Sequence, residues 1–132
     1  MKLLVFILSS ILLLNSCLGD YDAPPPEIKK SIKYFVYKSL TRKNNIVTFT
    51  VIHEGTCTAK SYYEITQPSD ATFVSYSTCD HYTTQKGTFG NGSMIFNGVI
   101  YNASIKGDEL TVSQFNTVMG DTYEEITIAK RQ

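Results

Sequence analysis

The stretch from Gly87 to Val112 reads GTFGNGSMIFNGVIYNASIKGDELTV, and it decides the fold class. Three turn signals punctuate it: Asn91-Gly92, Asn97-Gly98 and Gly107-Asp108. Asn-Gly between apolar runs is the strongest short hairpin signal, because both residues tolerate the positive φ of a tight hairpin turn. Gly87 to Gly90 and Ser93 to Phe96 are the strands that flank the first of these turns. Asn97-Gly98 follows so closely that it is either a second tight turn or a bulge, and an isolated Gly in a strand pattern favours the bulge. Val99 to Ile105 alternates, with Val99, Tyr101, Ala103 and Ile105 on one face. Gly107-Asp108 then leads into Glu109 to Phe115, where Leu110 and Val112 point inward. A chain that reverses this often pairs its strands antiparallel with their sequence neighbours.

The same rhythm continues in both directions. Downstream, Gly120-Asp121 turns the chain into Thr122 to Lys130, and Ile126 and Ile128 are expected on the inward face with Leu110 and Val112. Upstream, Ile32 to Lys38 and Ile46 to His53 are strands joined by the turn Arg42-Lys43-Asn44-Asn45. In the second of them Val47, Phe49 and Val51 are expected on one face. Ala59 to Thr66 and Thr72 to Ser77 are separated by Gln67-Pro68-Ser69-Asp70, which has turn chemistry. No window after residue 30 sustains the apolar spacing of an amphipathic helix. The chain is therefore all-β, with about eight strands. To cover its apolar face it must form a small antiparallel β-barrel, a meander of the lipocalin-like kind, or a β-sandwich.

The N-terminus carries an address. Lys2 precedes an apolar run from Leu3 to Leu14 that only Ser9 and Ser10 interrupt, the build of a secretory signal peptide. The run is shorter than the ~20 residues that span a bilayer. Leu14-Asn15-Ser16-Cys17 resembles a bacterial lipobox, which implies cleavage before Cys17 and acylation of its thiol. Cleavage after Gly19, giving a secreted chain, is the alternative. Pro24-Pro25-Pro26 favours polyproline II, a semi-rigid spacer. The organisation read from this is a signal peptide over 1–16, a lipid-anchored Pro-rich tether over 17–30 and a β-barrel domain over 31–132. Leu18 stands where an Asp retains many such lipoproteins at the inner membrane, so the resemblance implies the outer membrane.

With 12 basic and 12 acidic residues the chain is neutral, and it lacks the basic surplus of a nucleic-acid binder. The charges are unevenly placed: Lys29, Lys30, Lys33, Lys38, Arg42 and Lys43 run without an acidic residue among them. Lysines on edge strands guard against aggregation, and that is the preferred reading. A patch touching anionic lipid headgroups is the alternative.

Once Cys17 is acylated, two cysteines remain, and in an exported protein Cys57 and Cys79 are expected to form a disulfide. A zinc site of His53, Cys57, Cys79 and His81 is the sharper alternative, although the Cys79-x-His81 spacing is unusual for one. No cofactor is expected. No Gly-x-Ser-x-Gly elbow, His-Glu-x-x-His or phosphate-binding Gly loop is present, so the chain reads as non-catalytic. Nine Tyr and seven Phe supply core and cross-strand packing. Tyr63, Tyr76, Tyr101 and Tyr123 are the candidates to line a ligand site, having an apolar ring and a polar tip.

The segments Gly87 to Phe96, Tyr101 to Val112 and Tyr123 to Arg131 together resemble the C-terminal half of small lipocalin-like bacterial lipoproteins. The shared rhythm is Gly-Thr-Phe, strand, Gly-Asp-x-Leu-Thr, strand, and a final strand ending in Lys or Arg. The chain has no Trp and so lacks the Gly-x-Trp signature near the start of such barrels. The resemblance implies a binding module anchored by its acyl chains, taking a small apolar ligand or an envelope protein. Small disulfide-bonded lipoproteins that inhibit enzymes suggest the alternative, an inhibitor or immunity-type protein acting through its loops.

Overall fold

Period-2 alternation and tight turns produce nine antiparallel strands, described for residues 26–132 by a computed structural model. They are β1 (Ser31–Lys43), β2 (Ile46–Ile52), β3 (Tyr62–Thr66), β4 (Asp70–Tyr76), β5 (Tyr82–Gly90), β6 (Ser93–Phe96), β7 (Val99–Lys106), β8 (Glu109–Val118) and β9 (Asp121–Arg131). A 3-10 turn, Cys57–Lys60, precedes β3. The sheet runs β2-β1-β3-β4-β5-β6-β7-β8-β9, and β1 also pairs with β9. That pairing closes eight strands into a barrel and leaves β2 outside it. The barrel, not the sandwich, is the architecture. Cys17 and most of the proposed tether lie outside the described residues.

Hairpin chemistry accounts for the meander. Asn91 and Gly92 have φ 51° and 74°, and Asn97 and Gly98 have 51° and 79°. Positive φ at both central residues is the mark of the tight turn whose twist matches the flanking strands. Asn97-Gly98 is thus a second turn, not a bulge. Between the two turns β6 has only four residues.

The core is the barrel interior. Met94 and Leu110 are fully buried there, with Tyr34, Val36, Tyr63, Ile65 and Phe96 around them. Gly87 leaves space for this packing, since a Cβ there would collide with the Ile95 carbonyl and the Phe96 ring.

The β8–β9 hairpin corrects one expectation. Leu110 pairs with Ala129 and Val112 with Thr127. Ile126 pairs instead with Ser113 and Leu40, and Ile128 with Thr111 and Lys38. Side chains of directly paired residues share a face, so Ile126 and Ile128 lie on the face opposite Leu110 and Val112, where Ile126 is nevertheless buried and Ile128 half-buried. The reason is parity. A two-residue turn at Met119-Gly120 pairs Val118 with Asp121, and every pair then joins an even number to an odd one. Leu110, Val112, Ile126 and Ile128 are all even and cannot share a face.

The strand β1 has one more residue than its partner between Val36 and Lys38. Before this bulge Ile32, Tyr34 and Val36 face the core. After it Ser39, Thr41 and Lys43 continue the inner face, paired with Thr127, Glu125 and Tyr123. Without the extra residue Lys38 and Leu40 would point inward.

Leu110→Ala should cost 2–5 kcal/mol in urea unfolding, the range for a buried Leu that leaves a cavity. Ile128→Ala, on the outer face, should cost clearly less. An equal loss at both positions would refute the register that puts Leu110 inside.

Candidate functional site

The barrel interior is the first place to look for a ligand. Tyr63 and Phe73 stack with ring centroids 4.3 Å apart, and Phe96 lies 6.4 Å and 6.3 Å from them. Tyr101 meets Phe96 edge-on at 6.2 Å. The space these rings leave is about 80 Å³, lined by Tyr63, Phe73, Gln85, Phe96, Tyr101 and Val112. Cavities that enclose drug-sized ligands run ~300–1,000 Å³. Burial pushes the Tyr63 phenol up to about 12, with a hydrogen bond to Thr127 acting against this and the neighbouring Tyr101 adding to it. The phenol is neutral at physiological pH.

Of the four candidate tyrosines, the fold brings only Tyr63 and Tyr101 together. Tyr76 packs at a tilt against Tyr82 with ring centroids 5.4 Å apart, and the Lys60 ammonium lies 6.0 Å from its ring. Tyr123 sits at the start of β9, with Lys43 5.7 Å from its ring. Sequence alternation alone could not sort the four, because they lie on four strands whose mutual register depends on closure. Hollows of about 490 Å³ beside Phe35, Tyr37, Lys130 and Arg131, and about 510 Å³ beside His81 and Tyr82, lie on the open surface.

Cys57 and Cys79 are joined in a disulfide. It ties the 3-10 turn to the loop between β4 and β5, and Ser61 adds to the anchorage. The Ser61 carbonyl accepts from the Val36 amide at 2.8 Å, and its hydroxyl accepts from the Tyr76 amide at 2.9 Å. The bonded sulfurs leave no thiolates for the zinc alternative. His53 Nε2 lies 2.8 Å from Ser39 Oγ, and His81 makes backbone bonds within the turn around Ser77 and Thr78. Among the described residues no group of three or more His, Cys, Asp or Glu could hold a metal ion.

The basic run is largely matched by acids and aromatic rings. Lys29 meets Asp70 at 3.4 Å, Arg42 meets Glu124 at 3.2 Å and Lys43 meets Asp121 at 2.7 Å. The Lys33 ammonium stands 4.5 Å over the Tyr62 ring. Three of the six cations of the run thus stand beside an acid.

Sequence reasoning missed one feature, a ribbon that leaves the barrel. The pairing of β3 with β1 stops at Phe35, and that of β7 with β8 stops at Ser113. Beyond these points β2, the second half of β1, the first half of β9 and the second half of β8 form a four-stranded sheet of their own. Among the described residues seven of the thirteen exposed large apolar residues lie here: Ile46, Val47, Phe49, Ile52, Phe115, Val118 and Met119. The register divides those on the strands between two faces, with Ile46, Phe49 and Val118 on one and Val47, Ile52 and Phe115 on the other, and contiguous apolar exposure of this kind marks interaction surfaces. Asn44 clamps the ribbon's end. Its amide nitrogen donates to the Thr122 carbonyl at 2.8 Å, its side-chain oxygen accepts from the Thr122 amide at 3.0 Å, and its side-chain nitrogen donates to Asp121 at 3.0 Å. Hydrogen bonds from Lys43 and Asn44 hold the Asp121 carboxyl below the usual carboxylate range.

Comparison with protein-family models, curated proteins and solved structures gives no match.

Two outcomes are expected from this geometry. Replacing Cys57 and Cys79 together by Ala should lower the unfolding free energy by about 3 kcal/mol in the chain-entropy account. An unchanged urea midpoint would mean that the loop is held without the bond. A depressed folded-state value means that the Asp121 contribution is present above the unfolded carboxylate range and is lost as pH falls through the folded value. Carboxyl NMR titration should place the Asp121 midpoint below that of a free Asp. The Lys43→Ala variant should move it back up.

Proposed function

We propose that this protein is a non-catalytic binding domain of the bacterial outer membrane, anchored through acyl chains on Cys17, that engages a partner protein through its ribbon. One observation supports this above the rest. The interior is filled to about 80 Å³, while seven exposed large apolar side chains lie on β2 and at the end of the β8–β9 hairpin. A small apolar ligand of the lipocalin kind needs the reverse arrangement, an open interior and a plain exterior. The partner half of the binding reading is therefore preferred to the ligand half.

The ribbon also suits the inhibitor alternative, with strands rather than loops as the contact. Strands that project from a rigid barrel lose little conformational freedom on binding, which favours association. Phe115 is the best anchor, since aromatic side chains are enriched at the centres of protein interfaces; Phe49 lies on the opposite face of the ribbon. An enzyme partner and a non-enzyme partner differ only in what the contact blocks.

Two experiments test the reading in the full chain. Cys17→Ser should release the protein from membranes, and an unmodified Cys17 in membrane fractions would refute the anchor. A photo-reactive residue in place of Phe115 should then capture a distinct envelope protein, while the same residue in place of Ile100, exposed on β7, should not. Equal capture at both positions, or capture at neither, would overturn the ribbon as the partner surface.

A further inference from the structure

We infer that β2 is a self-association edge, on which a second copy of this chain adds its own β2 antiparallel to form a two-fold dimer with one continuous sheet. The inference concerns the free edge of β2 and does not rest on the partner proposed above. Among the described residues β2 pairs only with β1, so one edge presents unpaired backbone donors and acceptors. An extended strand is the ligand that satisfies such a row.

The sequence of β2 points to a copy of itself. Ile46-Val-Thr-Phe-Thr-Val-Ile52 is a palindrome centred on Phe49. An antiparallel copy therefore presents the same order of side chains as the strand it meets. The segment has no charge, Pro or Gly, and these are common devices that natural edge strands use to prevent pairing. Self-pairing brings no like charges together on β2. Of the three β1 cations paired with β2, Arg42 and Lys43 are matched by Glu124 and Asp121, and Lys38 stands beside Ile52 at the far end of the strand.

The register can be stated. Thr48 is the extra residue of a bulge against β1, because Thr41 pairs with Phe49 and Arg42 with Val47. When both copies keep this bulge, Phe49 lies on the two-fold axis, Thr50 meets Val47 and Val51 meets Ile46. Phe49, Val51 and Ile46 share one face, since their partners on β1 are Thr41, Ser39 and Lys43. The pairing thus gathers an apolar stripe from both copies, with Phe49, 62% exposed in the single chain, at its centre. Aromatic and β-branched cross-strand pairs are the favourable ones. A two-fold contact occupies the same edge on both copies and closes at two.

Cysteine cross-linking in the full chain tests the register. Residues in register across two strands have Cβ atoms about 5 Å apart, close to the separation a disulfide spans. Phe49→Cys should give a disulfide-linked species of twice the chain mass on non-reducing gels. Ile100→Cys, exposed on β7 but far from any β2 pairing, should give little. Circular dichroism should show that both variants remain folded. As a second readout, Phe49→Lys puts two cations on the axis, and chemical cross-linking of this variant should lose the dimer that the unaltered chain gives. A dimer yield from Phe49→Cys no higher than from Ile100→Cys would overturn the inference, as would a dimer that persists in Phe49→Lys. Capture of a different protein through position 115 bears on the proposed function alone, so either reading can fail without the other.

Discussion

The ladder between β1 and β9, from Tyr34–Arg131 to Lys43–Tyr123, is the constraint on which the other features depend. It joins the first strand to the last and removes the edges that the eight barrel strands would otherwise expose, leaving a free edge on β2. Thirteen residues of β1 allow this because they serve different partners along one edge. The first part pairs with β3 and the second with β2, while β9 occupies the opposite edge. The bulge at Tyr37 makes the long strand usable. It changes which parity faces inward, so Val36 packs in the core while Lys38 stays outside it.

Closure also limits what the interior can hold. Small barrels have room for packed side chains and little more. Here Tyr63, Phe73 and Phe96 fill the centre from three strands, and Gly87 on β5 gives the Phe96 ring its place. Tyr63 brings a hydroxyl into this space, where its hydrogen bond to Thr127 offsets part of the cost of burial. A barrel filled this way stabilises itself and leaves only about 80 Å³ inside.

The ribbon is where the fold departs from economy. Four strands run past the end of the barrel with apolar side chains exposed and backbone groups of β2 unpaired. Its end is held by local polar chemistry, the Asn44 bonds to Asp121 and Thr122 and the ion pairs of Arg42 and Lys43. Exposed ion pairs contribute little each, but here they fix the position of an element that lacks a core of its own. The disulfide and Ser61 do similar work for the 3-10 turn that carries the chain from β2 back to β3.

Much of this was legible in the residues. Asn91-Gly92 and Gly107-Asp108 set hairpins because turn chemistry is local, and alternation put Tyr101 and Ala103 on one face because strand geometry repeats every two residues; Asn97-Gly98 read equally well as a bulge, and only the pairing of β6 with β7 made it a turn. With Cys17 set apart by the lipobox reading, two cysteines remained, and the expectation of export was enough to pair Cys57 with Cys79. The partners of Ile126 and Ile128 were also within reach, since a two-residue turn joins odd positions to even ones. Other features were not local. Ile46 to Ile52 has the pattern of a core strand, yet it lies outside the barrel because β9 and β3 take the edges of β1 that close it. Nothing in the neighbourhood of Tyr76 or Tyr123 separates them from Tyr63 and Tyr101. Which rings meet, how little space they leave and which strand keeps a free edge depend on the bulge in β1 and on pairing between the two ends of the chain. Tertiary structure alone decides these, because a one-residue shift in that distant pairing turns every side chain to the other face.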